Sequence, residues 1–162
     1  MTLPRIAAFP VAAAVALGLL AGGAARAAAP ARKAGTVKVT VTGAKKAAGT
    51  FPAICGAYFM ADVPGIAKAG DGLVFEADVA GVGHLQLNSQ KRLPGKSSSA
   101  GLVLNTTDGS GSFVGDASGG NEVVFGPKLD TAKVRAKLKN LRFKPGAPPD
   151  VVTLEARFDC SK

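Results

Sequence analysis

The sequence predicts an all-β fold, an antiparallel β-sandwich of about 7–9 short strands in a single domain spanning residues 36–162. Three observations support this prediction. From Thr36 onward, apolar and polar residues alternate, so that every second side chain lies on one face of a strand. The candidate strands are short and separated by turns rich in Gly, Pro and Asn. The two cysteines of the chain, Cys55 and Cys160, indicate one disulfide if the protein is exported.

The amino-terminal segment, residues 1–27, has the composition of a secretory signal peptide. Arg5 precedes a long uncharged apolar run, which ends in the small-residue motif Ala25-Arg26-Ala27. A retained membrane anchor is the alternative, but the run consists mostly of Ala and Gly and contains Pro10, so its hydrophobicity is weak. We therefore expect cleavage near Ala27 and export to the periplasm, the cell surface or the medium. Residues 28–35 have the composition of a flexible mature terminus.

The exported chain would have roughly 135 residues, enough for one domain with a hydrophobic core. Removing Arg5 and Arg26 from the 20 basic residues leaves 18, which against the 11 acidic residues give a net charge of about +7. No later apolar run is long enough to span a membrane as a helix. Such a basic domain favours anionic surfaces, which include acidic glycans, phosphate-rich envelope polymers and lipid headgroups.

The alternation predicts which side chains face the core. Strands are expected in TVKVTVT, FPAICGAYF, LVFEADV, HLQLNSQ, LVLNTT, NEVVFG and VVTLEARFDC, with a short strand at Phe113–Val114. The residues expected to point inward are Val37, Val39, Val41, Phe51, Ala53, Cys55, Ala57, Phe59, Leu73, Phe75, Ala77, Val79, Leu85, Leu87, Val152, Leu154, Ala156, Phe158 and Cys160. Residues 92–100 and the Gly-rich stretch 108–122 are predicted to be loops.

The two cysteines lie on the predicted inward faces of their strands. A bond between Cys55 and Cys160 is expected to join the second strand to the last, across two sheets. Closing a loop of roughly one hundred residues would stabilise the fold by about 4–5 kcal/mol through the entropy of the unfolded chain. Metal binding and thiol chemistry are the alternatives, but the first lacks further ligands and the second lacks a C-x-x-C motif or a nearby base.

The run TAKVRAKLKNLRFK, residues 131–144, is the candidate binding element. As a strand it places four cations on one face, and these are Lys133, Arg135, Lys137 and Lys139. A helix is the alternative, because Val134, Leu138 and Leu141 recur at helical spacing among good helix formers. Unbroken alternation from 133 to 139 favours the strand, and the slip of that alternation at Asn140 predicts a β-bulge.

The basic face of this run has three interpretations. It is either a solvated or edge-protecting face, the second of which would keep an edge strand from pairing with another chain, or a surface that binds an anionic partner. Nucleic acid is the third and is disfavoured, because no aromatic stacking platform accompanies the charges. The sequence leaves the first two interpretations open.

Residues typical of catalysis are sparse. The chain has one histidine, His84, which alternation places opposite the apolar face of its strand, and it has no G-x-S-x-G or H-E-x-x-H motif. Glu76 and Asp78 share a strand face and could act as a carboxylate pair, although such pairs are common on solvated faces. The sequence therefore predicts no enzyme activity and indicates no cofactor.

Two further clusters have structural interpretations that compete with functional ones. Asp108, Asp116, Asn121 and Glu122 could supply oxygen ligands to Ca²⁺, but their spacing matches no EF-hand or nonapeptide repeat, so turn formation is preferred and no metal is predicted. Tyr58 and Met60 fall opposite the inward face and could mark a contact patch. Packing against the sheet is the preferred interpretation.

The arrangement of these segments resembles that of the mycobacterial LpqH-type lipoprotein antigens. The segments concerned are the exported leader, VKVTVTG, GTFPAIC, DGSGSFVGDA and the closing VTLEARFDCSK. The resemblance implies a non-enzymatic β-rich domain of the cell envelope with Cys55 and Cys160 as its disulfide. In LLAGG, Gly23 stands where a lipidated cysteine would be required, so the lipid-dependent properties of that family are not expected.

Two functions follow as expectations. The first is an exported, non-enzymatic envelope or secreted domain with a structural or binding role, whose partner is an anionic envelope polymer or another envelope protein. The second is a binding module for anionic polymers or glycans that uses the basic strand face. An outer-membrane barrel is disfavoured, because one Tyr and no Trp cannot supply aromatic girdles. The sequence does not determine the oligomeric state.

Overall fold

The computed structural model describes residues 32–60, 70–142 and 150–162. Within these ranges the chain forms ten strands, and every pairing is antiparallel. They are β1 (Arg32–Gly43), β2 (Ala47–Met60), β3 (Gly70–Val79), β4 (Gly83–Ser89), β5 (Gly95–Lys96), β6 (Ala100–Thr106), β7 (Ser112–Asp116), β8 (Glu122–Phe125), β9 (Thr131–Asn140) and β10 (Val151–Asp159). The described ranges contain no helix long and apolar enough to cross a membrane.

The sheet closes into an eight-stranded barrel. Its order is β10-β1-β2-β3-β4-β6-β7-β9, and the pairing of β9 with β10 joins the two ends. β8 pairs with the first half of β9 on the same side as β7, and β5 pairs with β8. The predicted antiparallel all-β fold is confirmed, but the predicted sandwich is not. Alternation requires only one buried face per strand, and a sandwich and a closed barrel satisfy that requirement equally.

The barrel interior is filled by apolar side chains. Phe75 lies among them, with its ring centroid 5.8 Å from that of Phe125 and 5.4 Å from that of Phe158. An eight-stranded barrel is just wide enough for side chains to fill. Of the residues predicted to point inward, those found buried are Val37, Val39, Val41, Ala53, Cys55, Leu73, Phe75, Ala77, Val79, Leu85, Leu87, Val152, Leu154, Ala156, Phe158 and Cys160, while Phe51 and Ala57 are half-buried.

The basic run forms β9, which confirms the strand and makes the helical alternative wrong. The predicted bulge is also wrong, because the alternation continues to the end of the strand. Asn140 takes the last inward position, is 6% exposed, and its side-chain oxygen accepts a hydrogen bond from the Arg142 amide at 2.9 Å. Leu141 then turns outward and is 61% exposed. The apparent slip in the sequence therefore marks the end of the strand.

β9 is not an edge strand. β10 pairs with it along one side, and β8 and then β7 pair with it along the other. The edge-protecting interpretation of the basic face is therefore wrong, whereas a solvated face and an anion-binding surface both remain compatible with this pairing. The four cations of β9 project from a strand whose backbone is already paired.

The segment predicted to be a flexible terminus and one segment predicted to be a loop contain strand residues. Residues 32–35 belong to β1 and pair with β2, so the part of the 28–35 prediction that the structure describes is wrong. The 92–100 segment includes β5, and β6 begins at Ala100. The predictions for the signal peptide 1–27, residues 28–31 and the side chains of Phe59 and Met60 lie outside the described residues, as does the end of the basic run from 143.

The predicted disulfide between Cys55 and Cys160 is confirmed. Their Cα atoms lie 6.2 Å apart, and both residues are buried. The bond does not join two sheets as expected: β1 lies between β2 and β10 in one wall, so the bond spans that strand. Gly35 of β1 lies against it, because a Cβ there would overlap Cys160 Sγ and the Asp159 carbonyl oxygen. We call Cys55, Cys160 and Gly35 the disulfide seam.

Candidate anion-binding face

The four cations predicted on one face of β9 do lie on one face. The burial pattern of β9 alternates strictly, with Lys133, Arg135, Lys137 and Lys139 exposed. Their apolar neighbours in the strand point into the barrel, because a strand presents successive side chains to opposite faces. The structure therefore brings the predicted residues to one surface, but their surroundings differ from one to the next.

Lys133 lies in a row of cations that runs across the strands. Its register partner in β10 is Arg157, and the partner of Arg157 in β1 is Lys38. All three are exposed, and among the described residues none has a carboxylate oxygen within 4.0 Å. On the other side of β9, Val124 of β8 lies opposite Lys133. Lys96 of β5 lies opposite Val124 and extends the row. We call Lys38, Arg157, Lys133 and Lys96 the cation row.

The next row along the strands has the opposite character. Arg135 lies between Glu122 of β8 and Glu155 of β10 in the register. Its Nε donates to Glu155 Oε1 at 3.1 Å, and Glu122 Oε1 lies 4.0 Å from Lys96 Nζ. Arg135 is therefore neutralised locally, and the four predicted cations do not act as one continuous ladder. We call Glu122 and Glu155 the carboxylate row.

Three members of the cation row and both members of the carboxylate row line a common surface groove of about 350 Å³. Its lining includes Lys38, Lys133, Arg157, Val124, Glu122 and Glu155. This volume lies at the lower end of the range typical of small-ligand sites, about 300–1,000 Å³. The groove is therefore large enough for one or two units of an extended ligand.

Lys137 and Lys139 line a second hollow of about 690 Å³. It lies near the part of β9 where the neighbouring strand changes from β7 to β8. Asn121 spans the interval between these two strands. Its Oδ1 accepts from the Lys137 amide at 2.7 Å, and its Nδ2 donates to the Asp116 carbonyl oxygen at 2.8 Å. The side-chain amide thus takes the place of a strand residue beside β9, and we call this contact the Asn121 bridge.

The two candidate catalytic carboxylates have separate partners. Glu76 receives hydrogen bonds from Arg32 at 3.3 Å and Gln86 at 2.9 Å, while Asp78 lies 2.8 Å from His84 Nδ1. His84 is on the outward face, as predicted. In the strand register, Asn105 of β6 lies opposite His84, and Ser112 of β7 lies opposite Asn105. The Ser112 hydroxyl donates to the Asn105 side chain and not to the imidazole of His84. The geometry therefore gives the carboxylates roles in cross-strand contacts.

The acidic residues considered for Ca²⁺ serve in separate turns. Asp108 bonds to Lys45 Nζ at 2.5 Å and to the Ser110 amide at 3.1 Å, and these contacts hold the pKa of its carboxyl far below the ordinary value. The Ser118 hydroxyl and amide lower the pKa of Asp116 in the same way. Within the described ranges, no group of three or more His, Cys, Asp or Glu side chains is arranged to hold a metal ion.

Tyr58 packs against the outside of the sheet, as the preferred interpretation expected. Its ring covers Gly72 of β3, where a Cβ would overlap the ring atoms, and its hydroxyl donates to the Ser89 carbonyl oxygen at 3.5 Å. Partial burial raises the pKa of the phenol above its ordinary value.

No family model, no curated protein and no solved structure matches this chain. The resemblance to the LpqH-type antigens therefore stays an expectation from the sequence. The features that sequence analysis missed are Lys38, Arg157 and Lys96 as neighbours of Lys133. Each stands in an alternating or short segment remote in sequence, so only the strand register could have brought them together.

Proposed function

We infer that the protein is an exported, non-catalytic binding domain of the cell envelope, which holds an anionic ligand on the outer face of β8, β9, β10 and β1. The single observation that carries this proposal is the cation row. Like charges placed directly opposite each other on neighbouring strands destabilise a sheet. Lys38, Arg157 and Lys133 lie opposite one another in this way, and none of them has an acidic partner within salt-bridge distance in the described part of the chain. A bound anion would remove the repulsion.

Export is supported by two independent features. One is the leader composition of residues 1–27. The other is the disulfide, because such bonds persist mainly in oxidising compartments. Amino-terminal sequencing of the protein from a host that exports it should give a chain starting at Ala28; a chain that still carried Met1 would contradict cleavage of the leader and favour the retained anchor.

A non-catalytic role is supported by the contacts of the candidate carboxylates. Glu76 and Asp78 are engaged with Arg32, Gln86 and His84 across neighbouring strands. A broad hydrolase screen on the purified protein should therefore give no turnover. Turnover that the Glu76→Gln variant abolished would overturn this part of the proposal.

The binding proposal is tested by retention on immobilised heparin at increasing salt. The wild type should be retained, and elution should be salt-sensitive because exposed charges are screened. The variant Lys133→Ser/Arg157→Ser should elute at lower salt than the matched control Lys91→Ser/Lys128→Ser, which removes the same charge from exposed positions outside the groove. Equal elution of the two variants would show that only net charge matters, and a wild type that is not retained would favour a purely structural role.

A further inference from the structure

We propose that the ligand is an acidic polysaccharide that lies across the strands, along the cation row, with its anionic groups on that row and its hydroxyl groups on the carboxylate row. This assignment rests on the proposed binding function and makes it specific. The direction of the ligand and its chemical class follow from different features of the groove.

The direction follows from how the charges are distributed. Along β9, cations recur every second residue, about 7 Å apart, but Arg135 is paired with Glu155 and interrupts the series. Across the strands, Lys133, Arg157 and Lys38 succeed one another at the strand spacing of about 4.8 Å without an intervening acid. An extended anion therefore meets consecutive cations only if it crosses the strands.

The chemical class follows from the carboxylate row. The side chains of Glu122 and Glu155 are 52% and 56% exposed and line the same groove as the cations. A carboxylate only accepts hydrogen bonds and has about four acceptor positions, so one contact with Arg135 or Lys96 leaves capacity for hydroxyl donors. A ligand that carries anions and hydroxyl groups side by side satisfies both rows.

Other anionic polymers fit this groove less well. Polyphosphate has no hydroxyl group along its chain to donate, so its charges would face Glu122 and Glu155 without compensation. A flat anionic membrane would meet the same carboxylates. Val124 adds an apolar contact between Lys133 and Lys96, where the C–H face of a sugar ring can rest. The mixture of cations, acceptors and one apolar side chain therefore matches an acidic sugar chain.

The direction of the ligand across the strands is tested with two double variants, each of which removes two positive charges. Lys133→Ser/Arg157→Ser interrupts the cation row, and Lys137→Ser/Lys139→Ser removes the far end of β9 and leaves the row intact. On polygalacturonate, we expect the first to weaken binding roughly tenfold or more and the second to have a much smaller effect. An equal or larger loss in the second variant would overturn the crosswise direction while leaving anion binding intact.

The chemical class is tested by competition among three probes at matched charge concentration: polygalacturonate, inorganic polyphosphate and phosphatidylglycerol vesicles. Polygalacturonate should bind most tightly to the wild type. The variant Glu122→Gln/Glu155→Gln removes the repulsion between these carboxylates and the phosphate groups, so the difference in affinity between polygalacturonate and polyphosphate should become smaller. Tighter binding of polyphosphate or vesicles to the wild type would overturn the assignment of an acidic polysaccharide as the ligand. An unchanged preference of the variant for polygalacturonate over polyphosphate would overturn it too. Failure of all three probes would overturn the binding function itself.

Discussion

The barrel holds β9 and its neighbours in place by different means on its two sides. On one side, β9 pairs continuously with β10, β10 pairs with β1, and the disulfide seam spans β1 to bond Cys160 to β2. On the other side, β8 and β7 each cover part of β9, and the Asn121 bridge fills the interval between them. The first side is closed by full strand pairing and a covalent bond, and the second by partial pairing and a side-chain amide.

This difference shows where the barrel should tolerate change. A covalent bond acts on the unfolded chain, so its loss affects the whole domain. A single hydrogen bond contributes little net stability, although leaving its partner unsatisfied costs more. We therefore expect substitutions at the disulfide seam to have larger effects than substitutions at the Asn121 bridge.

The largest effect should come from removing the disulfide. Cys55→Ala/Cys160→Ala frees a loop whose ends are 105 positions apart, which should lower the free energy of unfolding by about 4–5 kcal/mol. Guanidinium unfolding of the variant and of the wild type, with and without reductant, measures this difference. A loss below about 1 kcal/mol would mean that strand pairing alone holds this side of the barrel.

Gly35→Ala should have the next largest effect, about 1–3 kcal/mol, because a methyl group there would overlap Cys160 Sγ and backbone atoms of Asp159 and Cys160. Gly101→Ala in β6 is the matched control. Its Cβ would meet no atom within 4 Å, so its stability should stay close to that of the wild type. Thermal unfolding of both variants measures the difference, and equal stability would show that β1 can move away from the seam.

Asn121→Ala should cost about 1–2 kcal/mol, because the Lys137 amide loses the acceptor at 2.7 Å. Hydrogen exchange should show faster exchange at Lys137, with little change in β10. The control is Asn88→Ala in β4, a half-buried position whose side chain makes no hydrogen bond within the described residues. Unchanged exchange at Lys137 would mean that the bridge does not stabilise β9.

Acid should produce the smallest effect and should act on both sides. Hydrogen bonds from Ser161 lower the pKa of Asp159 next to the seam, and those from Ser118 lower the pKa of Asp116 next to the bridge. Both folded-state pKa values lie below the unfolded value, so the stabilisation is complete above about pH 4 and is lost as the pH falls through the folded values.

The control for the acid effect is the variant Asp116→Asn/Asp159→Asn. Its stability, measured by urea unfolding between pH 5 and pH 2, should depend less on pH than that of the wild type. Because both carboxyl groups are fully exposed, we expect only a modest difference. An identical pH dependence in the two proteins would show that these hydrogen bonds do not favour the folded state.

Much of the barrel interior could be predicted from the sequence. Val37, Leu85 and Phe158 all lie on the predicted inward faces, because a strand exposes alternate residues to opposite sides whatever its neighbours are. The pairing of Cys55 with Cys160 needed only the cysteine count and the same alternation. These predictions succeeded because they depend on local periodicity.

The candidate site could be predicted only in part. The outward direction of Lys133 and Arg135 followed from alternation, but not that Arg135 is neutralised by Glu155 while Lys133 stands beside Arg157. Asn140 misled the prediction for a related reason: a polar residue in the last inward position of a strand looks like a slip in its pattern. Contacts across strands involve residues remote in sequence, and alternation contains no information about them.

By itself, then, the sequence determined which face of each strand is apolar, where the cysteines point and that one strand carries four outward cations. Only the tertiary structure decided that the sheet closes into a barrel, that β9 lies in its wall, and that Lys38, Arg157 and Lys133 form a row. The physical reason is that burial of alternate residues is satisfied by many strand arrangements. The register that sets charges side by side exists only once the strands have paired.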